Sequence, residues 1–476
     1  MAQRIQRREF LKAAAVGGAA CLGGSRLLAA GAGAKPPKII SPGCRRSKVR
    51  VGKVYLGRPG ALWPTPRMDI HAERKRYEGR FAKMSKEFAD VDFVVSELVT
   101  SPQQARQLKD KLKDVDGILA IHLSMGIGGA LREILSIGRP TMLFAAPYSG
   151  HEWTGFGRIM KAKEGALLDC LLTVDYRQLA AGVRPFRAIH HLREAKILDV
   201  TKRKLPAGYV KAVKEKLGTE IVRVSREQVL EAYKAVGDPD AKAEAKRWID
   251  GAVKVVEPGE DEVVKSCKLA LAFEKLLDEH EATMITVDCY GTMWRQLPAY
   301  PCVGFSRLNN MGLGGMCESD LKSSLTQILF QGLSGRPGFV NDPTMDVSRN
   351  AVIMAHCMGT PKMDGPDGKA APYRLRTIME RQEGCVPQVT MRVGQKITSA
   401  ELMGTDSLYY FTGEIIEAPD SPRGCRTKIA VRVDGDAEKL WRNWTDGLHR
   451  VACYGDLRKD LERFCRFKAI EMVHEA

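Results

Sequence analysis

Between residues 49 and 287, short apolar runs bounded by Gly, Asp or Pro alternate with stretches of helical periodicity, and this alternation restricts the fold more than any other property of the chain. Runs at 49–56, 91–99, 118–123 and 141–146 read as strands, with helical patterns at 101–112 and 130–137 between them. Strands joined through helices pair in parallel and carry those helices on the faces of the sheet. A second alternating unit opens near Leu171, with strands at 171–174, 197–200, 221–224 and 284–287. Within it, Ser225-x-x-Gln228 supplies a capping box and residues 262–280 a long amphipathic helix. From about Cys385 the texture changes to β-type runs at 389–393, 396–402, 408–414 and 428–433, and a helix over 456–467 closes the chain. The expected fold class is α/β, with parallel-sheet domains at 49–170 and 171–345 and a smaller β-rich domain at 346–476. A length of 476 residues with 44% apolar and 28% charged positions sustains cores for about three such domains.

The formal net charge is +17, of which the first 34 residues hold +4 from five basic residues and one acid. The remaining excess is dilute. Its densest runs, at 45–48 and 202–204, have no interleaved aromatics, and Glu194, Asp199 and Glu215 surround the second, so nucleic acid is not an expected partner. Twelve cysteines occur without a Cys-x-x-Cys pair or a zinc-finger spacing, and they read as small buried hydrophobes rather than a disulfide scaffold.

Gln6-Arg7-Arg8-Glu9-Phe10-Leu11-Lys12, followed by a weakly apolar run and Ala32-Gly-Ala34, resembles a twin-arginine signal peptide over residues 1–34. A Pro-, Lys- and Arg-rich stretch at 35–48 reads as a linker. The resemblance implies recognition by the twin-arginine translocase, export in the folded state and a periplasmic location. Folding before export removes the argument that the cysteines must be paired. No later stretch is long and apolar enough to span a bilayer, so no stable membrane insertion is expected after cleavage.

Phosphate-loop, His-Glu-x-x-His and Gly-x-Ser-x-Gly signatures are absent. Met125-Gly-Ile-Gly-Gly129 follows a strand and opens a helix, but it lacks the full dinucleotide fingerprint and reads first as a tight turn. The polar density lies between Trp294 and Cys357. Glu318 ends a small-residue apolar stretch just before a helix with Asp320 as its N-cap, which puts its carboxylate at a strand's C-terminal end. Asp342, 24 residues on, is expected at the end of the next strand, side by side with the first, and His356 at the end of a further one. Two carboxylates and a histidine so placed suit a divalent cation and proton transfer. The alternative assigns Asp320 and Asp342 to turn capping and His356 to the core.

The stretches Ser306-Arg-Leu-Asn309, Cys317-Glu-Ser-Asp320, Gly335-Arg-Pro, Asn341-Asp-Pro343 and Ala355-His-Cys357 resemble the catalytic region of the L-fucose/L-arabinose isomerase family. Gly447-Leu-His449-Arg-Val-Ala-Cys-Tyr-Gly455-Asp456 is similar to that family's late histidine motif. The resemblance implies that the β-rich domain is barrel-like. It further implies a sugar substrate, aldose–ketose isomerisation, and Mn²⁺ or another divalent cation such as Mg²⁺ or Co²⁺. Glu318 and Asp342 would act as catalytic carboxylates and metal ligands, with His449 and His356 as further ligands. Arg307, Asn309 and Trp294, with His151, would contact the sugar, and a trimeric or hexameric assembly is implied. Two rival functions remain, a non-catalytic exported sugar-binding protein and another metal-assisted enzyme, an epimerase or lyase.

Overall fold

A computed structural model describes residues 39–476, so the signal segment expected at 1–34 lies outside the described residues. The first sheet contains β1 (Val49–Leu56), β2 (Val91–Val99), β3 (Gly117–His122), β4 (Thr141–Ala145) and β5 (Leu168–Leu172), all parallel, in the order β2-β1-β3-β4-β5. Every residue of β3 and β4 is buried, because helices cover both faces, and that is why these strands read as unbroken apolar runs rather than alternating ones. The run at 171–174, expected to open the second unit, instead belongs to the edge strand of this first sheet.

The helix α1 (Arg184–Glu194) leads to the second parallel sheet. Its strands are β6 (Lys196–Val200), β7 (Glu220–Arg223), β9 (Met284–Val287) and β10 (Gly314–Cys317), in the order β10-β9-β6-β7. The two-residue strand β8 (Lys254–Val255) pairs elsewhere, as described below. The capping box at Ser225 and Gln228 forms as expected, and the long helix runs Glu260–Glu279. Helix α2 (Cys302–Asn310) precedes β10, and helix α3 (Leu321–Ser334) follows it. A Cβ at Gly332 of α3 would stand 2.6 Å from the Ala188 Cα of α1, so only glycine permits this close helix approach.

α3 carries the chain out of the parallel sheet and into a closed antiparallel barrel. The barrel strands are β11 (Phe339–Asp346), β12 (Ala351–His356), β15 (Lys396–Met403), β16 (Ser407–Glu417), β17 (Thr427–Val433) and β18 (Arg450–Tyr454). They run in the order β15-β18-β11-β12-β17-β16, and β16 pairs again with β15 to close the ring. A last strand, β19 (Glu471–His474), adds parallel to β16 after helix α4 (Arg458–Lys468). A small side sheet joins β8 to β13 (Tyr373–Arg376) and β14 (Val386–Val389). The observed architecture is therefore parallel-sheet α/β followed by a C-terminal six-stranded β-barrel.

Two differences bear on the site. β11 spans 339–346, across the boundary expected at 345, and it pairs antiparallel with β12 and β18 rather than parallel with β10. Asp342 consequently arrives from the barrel wall and not from a neighbouring parallel strand end. In place of a free linker over 35–48, residues 39–48 are packed: Gly43 N–H donates to the Gly312 carbonyl, Arg45 pairs with Asp278, and Ser47 hydrogen-bonds Glu194. Among the described residues all eleven cysteines are free, nine of them buried, in keeping with their expected role as small hydrophobes. No described helix is long and apolar enough to cross a membrane.

Candidate metal centre

The C-terminal end of β10 is built to aim a carboxylate. Glu318 and Ser319 both take left-handed backbone conformations, φ 65° and 56°, which break the strand at once and turn the chain into α3. Asp320 then caps α3, its Oδ1 accepting from the Lys322 and Ser323 backbone N–H groups at 2.9 and 3.0 Å. Its other oxygen, Oδ2, lies 2.8 Å from His449 Nδ1.

The barrel register supplies the rest. β11 lies between β12 and β18, with Asn341 opposite Arg450 and Asp342 opposite Ala355. One step beyond these pairs, His449 and His356 flank Asp342. The structure thus brings Glu318, Asp342, His356 and His449 together, one from the end of the parallel sheet and three from the barrel. His449 Nε2 lies 3.3 Å from Asp342 Oδ1 and 3.8 Å from Glu318 Oε2, while His356 Nε2 lies 3.8 Å from Glu318 Oε1. One ligand atom each from Glu318, His356 and His449 falls within 4.8 Å of the others. Asp342 Oδ1, His449 Nε2 and His356 Nδ1 are buried with no hydrogen-bond partner. Buried polar atoms are ordinarily satisfied, so the orphaned Asp342 Oδ1 and His449 Nε2, 3.3 Å apart beside Glu318, are the arrangement expected where a cation completes the set. Two imidazoles with carboxylates fit Mn²⁺ or Co²⁺ better than Mg²⁺, which prefers oxygen alone.

The electrostatics of the cluster are divided. Burial pushes the Glu318 carboxyl up, with Asp342 and Asp320 adding to it against the pull of His449. For Asp342 burial acts upward too, but the contact with His449 outweighs it and holds the group low. Burial would depress His449, yet its bond to Asp320 and the nearby carboxylates of Asp342 and Glu318 win and push it up to about 10. His356, buried and facing His449, is pushed down to about 4. Two carboxyls driven apart by their surroundings are the usual groundwork for acid–base division of labour.

The sugar-contact expectations fare differently. Arg307 is buried in α2, where it donates to Glu244 and Glu274 and has no face on the cluster. Asn309 is fully buried; its Oδ1 accepts from Gly315 N–H at 2.9 Å and Gln327 Nε2 at 2.7 Å, which fastens β10 between α2 and α3. Both hold up the scaffold and neither is placed to touch a sugar. Trp294 packs against Tyr290 and Tyr300 with the Arg381 guanidinium 4.5 Å over its ring, and exposed His151 lies tilted against Trp63, ring centroids 4.7 Å apart. The Met125–Gly129 turn is filled by Glu152, which also bonds His122.

Several groups carry no legible spacing in the sequence. Asp320 was visible as a cap but not as the residue that orients His449. Asp199 and Asp288 sit buried at the ends of β6 and β9, with Ser319 Oγ bonded to Asp199. An open cleft of about 500 Å³ is lined by Pro343, Met345, Trp441, Trp444 and Leu448, and Pro343 and Met345 lie on the β11 face opposite Asp342. Trp-x-x-Trp at 441–444 was the one available signal for that aromatic wall.

The split duties of Asp320 give a test. In Asp320→Asn the amide oxygen can keep the helix cap while the NH₂ group opposes a donor at His449 Nδ1, so α3 should fold and His449 should lose its orientation. Loss of such an outer partner costs about 10- to 100-fold in metal affinity. We expect that loss in Mn²⁺ titrations with an unchanged circular dichroism spectrum; wild-type affinity in the folded variant would count against the orienting role.

No family model matches the chain. It is similar to a protein named sulfoquinovose isomerase from Clostridium sp. (strain MSTE9), 22% identical over 305 residues that make up 60% of this chain and 65% of that relative. It is also similar to a sulfoquinovose isomerase from Alkalicoccus urumqiensis, 23% identical over 225 residues, 44% of this chain and 48% of the relative. The chain therefore spans less than two thirds of the length of the curated relatives it matches.

Proposed function

We propose that the protein is a metal-dependent sugar isomerase that interconverts an aldose and a ketose. The observation that carries this is the cluster of Glu318, His356 and His449 within 4.8 Å, with Asp342 against His449 and the two facing atoms of that pair, Asp342 Oδ1 and His449 Nε2, buried without hydrogen-bond partners. The similarity to two proteins named sulfoquinovose isomerase supports the same reaction class and makes sulfoquinovose the first substrate to try. Export through the twin-arginine translocase to the periplasm and a homo-oligomeric assembly belong to the same proposal.

Glu318, Asp342, His449 and His356 would hold the cation. When bound, it supplies Lewis-acid polarisation of the carbonyl and neighbouring hydroxyl of the open-chain sugar. The reaction moves one proton from C2 to C1 and one between the attached oxygens, so it is redox-neutral overall. Glu318 takes the proton from C2 and returns it to C1 of the ene-diol. Asp342, arriving from the barrel wall, handles the hydroxyl proton on the opposite side. Asp320 keeps His449 turned so that Nε2 faces the cluster.

The test is isomerisation in deuterated water by protein loaded with Mn²⁺, offered sulfoquinovose and a panel of neutral aldoses, with products read by mass and NMR. The expected result is ketose formation with deuterium entering at the carbons that exchange the proton. Metal-loaded protein that catalyses neither conversion nor exchange on any of them would remove the isomerase assignment.

A further inference from the structure

A second group of ligand-type side chains lies next to the first but differs from it in chemistry. Cys357, Glu380 and Cys425 each present one ligand atom within 4.8 Å of the others. The fold assembles them from three segments. Cys357 follows His356 directly off the end of β12, and Cys425 stands two residues before β17 begins; β12 and β17 pair there, with His356 opposite Thr427. Glu380 comes from the turn between β13 and β14, which Arg426 pins to the barrel by donating to the Thr377 carbonyl at 2.7 Å. Tyr290 hydroxyl donates to Glu380 Oε2 at 3.1 Å and lies 3.9 Å from Cys357 Sγ, so a fourth polar atom faces the same space. Cys357 is buried, whereas Cys425 is half-buried and Glu380 exposed, which leaves an entry path from solvent.

We propose that Cys357, Cys425 and Glu380 form a binding site for a thiophilic divalent cation, zinc being the natural occupant. Two sulfurs at about 2.3 Å from a tetrahedral zinc stand about 3.8 Å apart, a spacing this cluster accommodates with little movement. Binding releases the two thiol protons to solvent, forms two metal–sulfur bonds and changes no oxidation state. Thiolates select zinc and cadmium, whereas the nitrogen and oxygen donors around Glu318 suit manganese, so two sites one peptide bond apart sort different ions. An ion here ties the β13–β14 turn to the barrel and fixes Cys357, and with it the backbone that carries His356. This site does not depend on the isomerase proposal.

The experiment uses the whole protein, stripped with a chelator, fully reduced with a phosphine and titrated with cadmium chloride alone. The expected result is a thiolate-to-cadmium charge-transfer band in the ultraviolet that saturates at about one ion per chain. Zinc in large excess should compete with the cadmium, and excess manganese should not. The band should persist in the Glu318→Gln/His449→Gln double variant, which separates this site from the other cluster. It should vanish in Cys425→Ser, and Glu380→Gln, an exposed change that spares the fold if the first variant does not, should weaken cadmium binding at least about tenfold. Absence of the band in fully reduced protein, or cadmium affinity unchanged in the folded variants, overturns the proposal. So does unreduced protein lighter by two hydrogens whose thiols, once freed, bind no cadmium, because the pair is then a disulfide.

Discussion

Glu318→Gln is expected to abolish isomerisation while leaving the fold intact, with a fall in turnover of about 10³-fold or more, the range lost when a positioned proton-transfer group is removed. The substitution keeps the size of the side chain and one oxygen donor. It also keeps a residue able to hold the left-handed backbone at φ 65°. What it removes is the ability to accept a proton and the negative charge facing His449 and His356, 3.8 Å from each. Binding and chemistry should therefore separate: Mn²⁺ affinity should drop modestly, and deuterium exchange into the sugar should disappear even at saturating metal. Asp342→Asn is the companion, since its contact with His449 at 3.3 Å ties it to the same ligand. Full exchange by a metal-loaded Glu318→Gln protein would show that the carbon-bound proton is carried by another group. Weak metal binding restored by excess Mn²⁺ together with full turnover would reduce Glu318 to a ligand alone.

How much of this arrangement the sequence discloses depends on how local its cause is. The end of β10 is legible because a small-residue strand, a carboxylate and an N-cap aspartate follow one another within a few positions, and Asp320 does cap the helix. The parallel sheets are legible for the same reason, since burial on both faces writes itself as unbroken apolar runs. Asp342 is a residue whose partner strand lies far along the chain. An eight-residue β run does not say whether it pairs in parallel with β10 or antiparallel with β18, more than a hundred residues later, and only the second choice brings it to His449. The 171–174 run was misplaced for a related reason: an edge strand and the first strand of a new unit look alike until their neighbours are known. The pairing of Cys357 with Cys425 leaves no trace as spacing, because the barrel register and the β13–β14 turn bring them together. Burial is the property least visible in a motif. A polar residue inside a resembling stretch can serve the substrate or the scaffold, and Arg307 and Asn309 serve the scaffold.

Arg307 allows that distinction to be measured. Its guanidinium donates from Nε to Glu244 Oε1 at 3.0 Å and from Nη1 to Glu274 Oε2 at 2.5 Å, and all three side chains are at least nine-tenths buried. Glu244 is further engaged by Trp248 Nε1 at 3.0 Å and by Arg247, so the arginine sits at the centre of a network joining α2 to the two helices beneath it. Arg307→Met keeps the aliphatic bulk and removes the charge, leaving Glu274 as a buried carboxylate with no cation. Breaking one side of such a pair costs about 3–5 kcal/mol, most of it the price of the stranded charge. We therefore expect a large loss of unfolding free energy in denaturant titrations and a midpoint lowered by several degrees. Neutralising the partner as well, in Arg307→Met/Glu274→Gln, should recover part of the loss, because the double variant strands one charge fewer. A sugar-binding arginine behaves otherwise: its removal would raise the Michaelis constant, leave stability unchanged and gain nothing from the second substitution. That outcome would return Arg307 to the substrate and require α2 to open in solution.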